Sequence, residues 1–333
     1  GNGHFWRPLK KGKVTESQWK KTIARGGVFK RPDYWFPYPE TLHGDTISNM
    51  NVPQNLKTEA EWQSVRHFLR PVMVSLISCK NVWLQGVIFQ NSPAWNLHPL
   101  MCENVLIEDV LVRNPSYAQN GDGLDLESCR NALIVNSVFD VGDDGICLKS
   151  GKDEDGRRRG RACENVLIDG CTVFQGHGGF VVGSEMSGGV EDVKIWDCDM
   201  AVSTSGLEIK VTKKRGGYVR NVEVRDCTLS HVMVHSVGYN DDGIGAPVPP
   251  VLEDFRYNRV TLLGRYIDHD HVWHTCPAIE LKGFDVPGYE VKNICFKDVV
   301  LEDNGGPEQN IRMQYCRNVS FENITVRSGV QPE

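Results

Sequence analysis

The hexapeptide C-E-N-V-L-I stands twice in this chain, at 102–107 and again at 163–168. Its relatives are C-K-N-V-W-L (79–84), C-R-N-A-L-I (129–134) and C-R-N-V-S-F (316–321). V-E-D-V-K-I (190–195), V-R-N-V-E-V (219–224) and V-K-N-I-C-F (291–296) keep the pattern without the first cysteine. The asparagine-like positions are 81, 104, 131, 165, 192, 221, 293 and 318, giving steps of 23, 27, 34, 27, 29, 72 and 25 residues. Units of this length, made of short alternating strands without amphipathic helices between them, point to an all-β parallel solenoid. Successive coils of such a fold stack about 4.8 Å apart and turn alternate side chains inward, so Val105 and Ile107 are assigned to the core. The step of 72 is read as a loop insertion at 235–285, rich in Pro, Gly, Asp and His. The whole of 1–333 reads as one β-helix domain, preceded at 1–70 by an irregular segment with a capped helix signal, T-E-S-Q before W-K-K-T-I-A.

The repeat also decides how the cysteines are read. Eleven is an odd number, but Cys79, Cys102, Cys129 and Cys163 recur at one point of the coil and Cys171, Cys198 and Cys227 at another. Stacked, parallel side chains have poor disulfide geometry, so these are expected to be free thiols packed as small apolar groups. The recurring asparagine is expected to form a buried ladder that satisfies turn backbone. A net charge of −6 argues against a nucleic-acid partner, and no apolar run approaches membrane-spanning length. The chain starts at Gly1 without a leader, so its compartment has to be inferred from its chemistry.

Four segments align within the repeat: D-G-L-D-L-E (122–127), D-G-I-C-L-K (144–149), G-G-F-V-V-G (178–183) and S-G-L-E-I-K (205–210). Strand alternation sends Leu124, Leu126, Ile146, Leu148, Phe180, Val182, Leu207 and Ile209 inward. Outside, Asp122 and Asp144 share one column, Asp143 and His177 its neighbour, and Glu127, Lys149 and Lys210 a third. N-G-D-G or D-D-G alone is ordinary turn chemistry; four segments in register are more specific. Several carboxylates in an open groove suit glycoside hydrolysis. One acid protonates the departing oxygen, and the others activate water. Crowded like charges keep one acid protonated, His177 shares a proton with it, and Lys149 and Lys210 hold an anionic sugar. The histidines His98, His231, His235, His269, His271 and His274, densest in D-H-D-H-V-W-H (268–274), are read as a cleft rim rather than a metal site.

These motifs resemble family 28 of the glycoside hydrolases, the polygalacturonases and their relatives. The family's N-T-D, D-D, G-H-G and R-I-K appear here as N-G-D (120–122), D-D (143–144), G-H-G (176–178) and E-I-K (208–210). G-R-R-R-G-R-A-C-E-N-V-L-I (156–168) and S-P-A-W-N-L-H-P (92–99) also look like bacterial members. The resemblance implies a right-handed parallel β-helix that lacks its N-terminal coils here, and single-displacement hydrolysis with inversion. Asp143 matches the general acid, Asp122 and Asp144 the pair holding the attacking water, and His177 the histidine that keeps the acid protonated. Asn120, Gly178, Lys149, Glu208 and Lys210 take substrate-binding positions. Glu208 replaces the family's arginine, inverting the charge where a galacturonate carboxylate binds, with Lys149, Lys213, Lys214 or Arg215 to compensate. The resemblance therefore favours an exo-acting enzyme on pectic poly- or oligosaccharide. A rhamnogalacturonan-type hydrolase, a calcium-dependent pectate lyase and a non-catalytic carbohydrate-binding solenoid are the other readings. The expected protein is periplasmic or secreted and monomeric, with no cofactor, no metal, no nucleic acid and no membrane span.

Overall fold

Alternating apolar residues can be buried in a solenoid only if each coil lies in register on the last, and they are. The computed structural model describes residues 8–47, 56–238, 244–268, 272–303, 305 and 310–328. Each coil lays down three short strands, and coil-to-coil pairing gathers them into three parallel sheets of nine strands. The first, the groove sheet, runs from Val74–Ile77 through Leu124–Glu127, Ile146–Lys149, Gly178–Gly183 and Ser205–Val211 to Ile311–Gln314. The second carries the repeat motif, from Lys80–Gln85 to Cys316–Glu322, and the third runs from Ile88–Gln90 to Thr325–Ser328. One continuous core fills the space between them. The molecule is a parallel β-helix.

The corner before the motif's apolar run explains the asparagine. Asn81, Asn104, Asn131, Asn165, Asp192, Asn221, Asp254, Asn293 and Asn318 all have φ between 52° and 62°, a left-handed conformation that Asn and Asp tolerate because their short polar side chains bond locally. The ladder is exposed, not buried as expected. Its bonds run side chain to side chain: Asn104 Nδ2 donates to Asn81 Oδ1 at 2.9 Å, Asn131 to Asn104 at 3.1 Å and Asn165 to Asn131 at 2.7 Å.

Asp254 also corrects the reading of 235–285 as one inserted loop. Val251–Asn258 pairs in parallel with Tyr218–Arg225 on one side and Val291–Lys297 on the other, so a full coil lies inside the step of 72. Its motif reads L-E-D-F-R-Y, with Asp in place of Asn. Asn293 Nδ2 donates to Asp254 Oδ1 at 3.0 Å and the ladder continues. The added loop chain is split, one part before this coil and one after it, the latter folded as an antiparallel hairpin of Arg265–Ile267 and Trp273–Thr275.

All eleven cysteines are free, and Cys102, Cys129, Cys163, Cys171, Cys198 and Cys227 are buried. Their thiols donate to backbone carbonyls, Cys129 to Pro99 O at 3.2 Å for example.

The N-terminal segment is more regular than its sequence suggested. Leu9–Lys10, Val28–Arg31 and Tyr34–Phe36 form a small antiparallel sheet, joined by helices Glu16–Ile23, Pro39–Ile47 and Glu59–Val65. Thr15 accepts from the Gln18 N–H and Gln18 Oε1 accepts from the Thr15 N–H, a reciprocal cap. Leu9, Val14, Trp19 and Trp35 make a second small core, and Tyr117 of the helix body packs against it. That contact docks the segment beside the loop that leads into Asp122.

Candidate active site

The groove sheet holds the four charged segments in the expected register. Leu124 pairs with Ile146, Ile146 with Phe180 and Phe180 with Leu207, and all eight inward side chains are buried. The glycine before Leu124, Ile146, Phe180 and Leu207 follows from stacking rather than turn freedom. A Cβ on Gly123 would lie 2.5 Å from Gly145 O, and one on Gly179 would lie 2.6 Å from Gly206 O. Coils this close leave no room for a side chain, so the acids flanking the glycine column are held on a tightly packed ridge.

Asp122, Asp143 and Asp144 converge, each offering a carboxylate oxygen within 4.8 Å of the others. Asp143 Oδ1 lies 3.2 Å from His177 Nδ1. Asp143 Oδ2 accepts from the Asn120 backbone N–H at 2.9 Å, aimed there by a left-handed φ of 53° at Asn120. Lys210 Nζ donates to Asp144 Oδ2 at 2.8 Å. Asp122 Oδ1 and Asp144 Oδ1 are buried acceptors that meet no donor among the described residues. Exposure separates the three. Asp143's side chain is 18% exposed and Asp144's 3%, and Asp122 is 4% exposed. Asp143 is the most accessible of the three. Carboxylates this close also suit a hard cation; the ammonium of Lys210 and the donors on Asp143 meet part of the trio's charge.

Several positions read as substrate-binding turn inward instead. Lys149 is buried, donating to Gly183 O at 3.0 Å and pairing with Glu185 at 3.2 Å and Asp125 at 3.6 Å. It neutralises a second layer of acids behind the groove. Gly178 is buried too. A Cβ there would lie 2.0 Å from Val181 and 3.3 Å from Asp144 Oδ1, so the residue makes room for Asp144. Asn120 serves the site through its backbone, while its Oδ1 accepts from Arg70 at 2.8 Å. Glu208 sits 4.0 Å from Lys210 and accepts from His235 Nε2 at 2.7 Å. Arg215 is fully buried against Asp153, and Lys213 and Lys214 are exposed past the end of their strand, so none of these three offsets Glu208. Glu127 pairs with His98 and Arg159 rather than with the lysines of its column. In the histidine cluster, His274 pairs with Asp268 at 2.6 Å. His269, Asp270 and His271 lie outside the described residues.

The model of the family described as glycosyl hydrolases family 28 matches residues 56–241, more than half of the chain. The chain belongs to that family. It is 34% identical over 163 residues to a probable polygalacturonase of Vitis vinifera, covering 49% of this chain and 33% of that protein. To an exo-poly-alpha-D-galacturonosidase of Dickeya chrysanthemi it is 25% identical over 273 residues, covering 79% of this chain and 44% of the relative. The solved structure of a hyperthermoactive exopolygalacturonase from Thermotoga maritima superposes with a TM-score of 0.64 at 30% identity, over 78% of this chain and 55% of that one. The chain thus spans between a third and about half of these proteins.

Electrostatics gives the family 28 site an ordering that differs from the expectation of a protonated Asp143. Burial would raise Asp143. The hydrogen bond and charge of His177, the Lys210 ammonium and the Asn120 N–H outweigh it and hold the carboxyl at about 2. Burial, then the charges of Asp125, Asp143 and Asp144, push Asp122 well above the usual carboxylate range. Burial also raises Asp144, with Lys210 offsetting part of it. His177 is raised above its ordinary value by its bond to Asp143, against burial and the charge of Lys13. These directions favour the proton on the His177 side of the His177–Asp143 pair and favour the neutral form at Asp122 and Asp144 relative to an ordinary carboxylate.

Sequence reading missed the groups that surround the acids. Lys13 Nζ lies 3.1 Å from His177 Nε2, Arg70 bonds the Asn120 loop, and Asp125 is buried beneath Lys149. Asp125 was visible as the polar residue of L-D-L on an otherwise apolar strand. Lys13, in K-K-G-K, carries no signal that separates it from a solvated run.

Proposed function

We propose that this protein is an inverting glycoside hydrolase that removes galacturonate-containing units from the end of a pectic poly- or oligosaccharide. The observation that carries the reading is the asymmetry of the acid cluster: the most accessible carboxylate, Asp143, proton-coupled to His177, beside a buried pair, Asp122 and Asp144. The glycosidic oxygen meets Asp143 and takes the proton that the carboxylate shares with His177. The C–O bond breaks, and a water held by Asp122 and Asp144 attacks the anomeric carbon and leaves its proton with that pair. A buried pair whose pKa is raised is a suitable acceptor near neutral pH. Burial supports single displacement, because neither Asp122 nor Asp144 is free to bond the sugar carbon itself, whereas a water between them is. The three oxygens lie closer than the roughly 6.5–9.5 Å usual for inverting pairs, so the product anomer is the measurement that matters most.

End-directed action is supported by the exo-acting relatives and by the N-terminal segment, whose Lys13 comes within 3.1 Å of His177 Nε2. Glu208, bonded to His235, favours a second reading in which the sugar at that position is neutral, as in mixed galacturonate–rhamnose chains. A substrate of this kind goes with a periplasmic or secreted location, and no helix among the described residues is long and apolar enough to cross a membrane.

The test is a digest of homogalacturonan and rhamnogalacturonan fragments, with products separated by chromatography and the first anomer identified by proton NMR. Release of terminal units with inverted configuration is expected. Rapid mid-chain cleavage of homogalacturonan would refute end-directed action, first-formed product of retained configuration would refute inversion, and ultraviolet-absorbing unsaturated products would replace hydrolysis with a lyase.

A further inference from the structure

We propose that Lys13 is a specificity-determining residue that binds the carboxylate of an acidic sugar unit seated in the cavity beside His177. The inference rests on the hydrolase reading and adds to it a second cationic anchor, outside the family motifs.

The cavity measures about 200 Å³, and its walls include Lys13, His177, Gln175, Ser116, Thr204 and Tyr266, with Asp268, already bonded to His274, as the one carboxylate among the described residues. Hydroxyls, an amide and a ring around one cation are the surroundings that hold a sugar carrying one negative charge. Charge accounting singles out Lys13 among the lysines near the acids. Lys149 is matched by Asp125 and Glu185, and Lys210 by Asp144. The ammonium of Lys13 has one described polar partner, the Nε2 of His177 at 3.1 Å. That nitrogen accepts only while the imidazole is neutral there, and it repels Lys13 when protonated. A uronate carboxylate is the stronger partner in either state. It would draw Lys13 away from Nε2 and leave His177 free to carry the proton it shares with Asp143. The lysine is well placed for this. It ends a short turn, Lys11–Lys13, just before the capped helix Glu16–Ile23. Its segment is pinned to the helix body by Tyr117 and by Arg70, which donates to Gln119 O at 2.9 Å. Groups facing His177 are Asp143 and Asp144 from the groove sheet, Lys13 from the N-terminal segment, and Tyr266 and Asp268 from the hairpin; Asp268 is occupied by His274 and the Val272 N–H.

The experiment compares wild type, Lys13→Met and Lys13→Arg on trigalacturonate and on its carboxyl-reduced counterpart. Lys13→Met should raise KM for trigalacturonate about 10–100-fold, the usual worth of a charge-assisted bond. It should change kcat much less, leave the reduced substrate unaffected and move the alkaline limb of the pH profile upward. Lys13→Arg should restore most of the KM. An unchanged KM, or equal losses on both substrates, overturns the proposal. A binding arm needs no turnover: D-galacturonate, but not D-galactose, should shift the NMR signals of labelled His177 in wild type and fail to do so in Lys13→Met. If wild type cleaves neither substrate, the hydrolase reading fails and the binding arm alone decides Lys13: identical shifts in both proteins, or none in either, overturn it.

Discussion

The groove sheet and the motif-bearing sheet beside it are wound from the same coils, yet their outward columns differ. On the motif sheet the outward residues Leu106, Leu133, Leu167, Lys194 and Glu223 are exposed or half-exposed, and the polar contacts there are superficial, such as Trp196 to Glu223 at 3.1 Å. On the groove sheet the equivalent outward column is Asp125, Cys147, Val181 and Glu208, every one of them buried. Side chains such as Lys149, Glu185 and His235 enclose it and turn an outer face into a second interior. In such a layer charges lose water and must find each other, and burial raises Asp122, Asp125 and Asp144 along the groove sheet.

The largest effect that follows from this contrast is on turnover. Asp143→Asn should lower kcat roughly 10²–10⁴-fold, while Glu223→Gln on the motif sheet leaves it unchanged. Steady-state rates on pectic fragments check both, and an equal response would erase the distinction. Next comes stability. Lys149→Met strands Asp125 in the second interior, takes one cation from Glu185 and should cost about 3–5 kcal/mol, against less than about 0.5 kcal/mol for Lys194→Met on the exposed column. Denaturant titration separates them.

A smaller effect has the opposite sign. The folded pKa of Asp122 lies above its unfolded value of about 3.9, so its stabilising contribution is complete below that value and is lost as pH rises through the folded pKa. Asp122→Asn removes this loss. It should abolish activity and raise stability by about 1–2 kcal/mol near pH 7, a gain that fades below about pH 4. Thermal unfolding at the two pH values tests the sign. Of the same size is the effect at the Asn ladder. Asn131→Ala should cost about 1–2 kcal/mol for a left-handed Ala, whereas Asn131→Gly, with no Cβ to clash, costs less. Reversed order would mean that the side-chain bonds, not the backbone corner, set the value of the ladder.

Most of the fold was legible because a repeat states its own period. Cys, Asn and alternating apolar residues fixed coil length, core face and the free thiols. The coil at Val251–Asn258 escaped because Asp254 replaces the marker asparagine and loops on both sides dilute the spacing. The ladder was placed inside because an amide is expected to satisfy backbone, and the left-handed corner that Asn accepts has no other trace in the sequence. In the site, alternation placed Asp122, Asp143, Asp144, His177 and Lys210 on one face. It could not tell which outward residues a distant segment covers. Lys149 was therefore sent toward a sugar when it is enclosed, and Lys13 and Arg70, brought in by the N-terminal segment, were invisible to any periodicity.

The parallel stacking has a mechanical side. Hydrogen bonds between coils point along the helix axis, and successive coil boundaries act in series. A tensile load on the two ends would open one coil boundary at a time, and fail first at the weakest. The acid cluster draws its three carboxylates from two adjacent coils and His177 from the next. Tension sufficient to part either boundary would dismantle the site while most coils stayed wound.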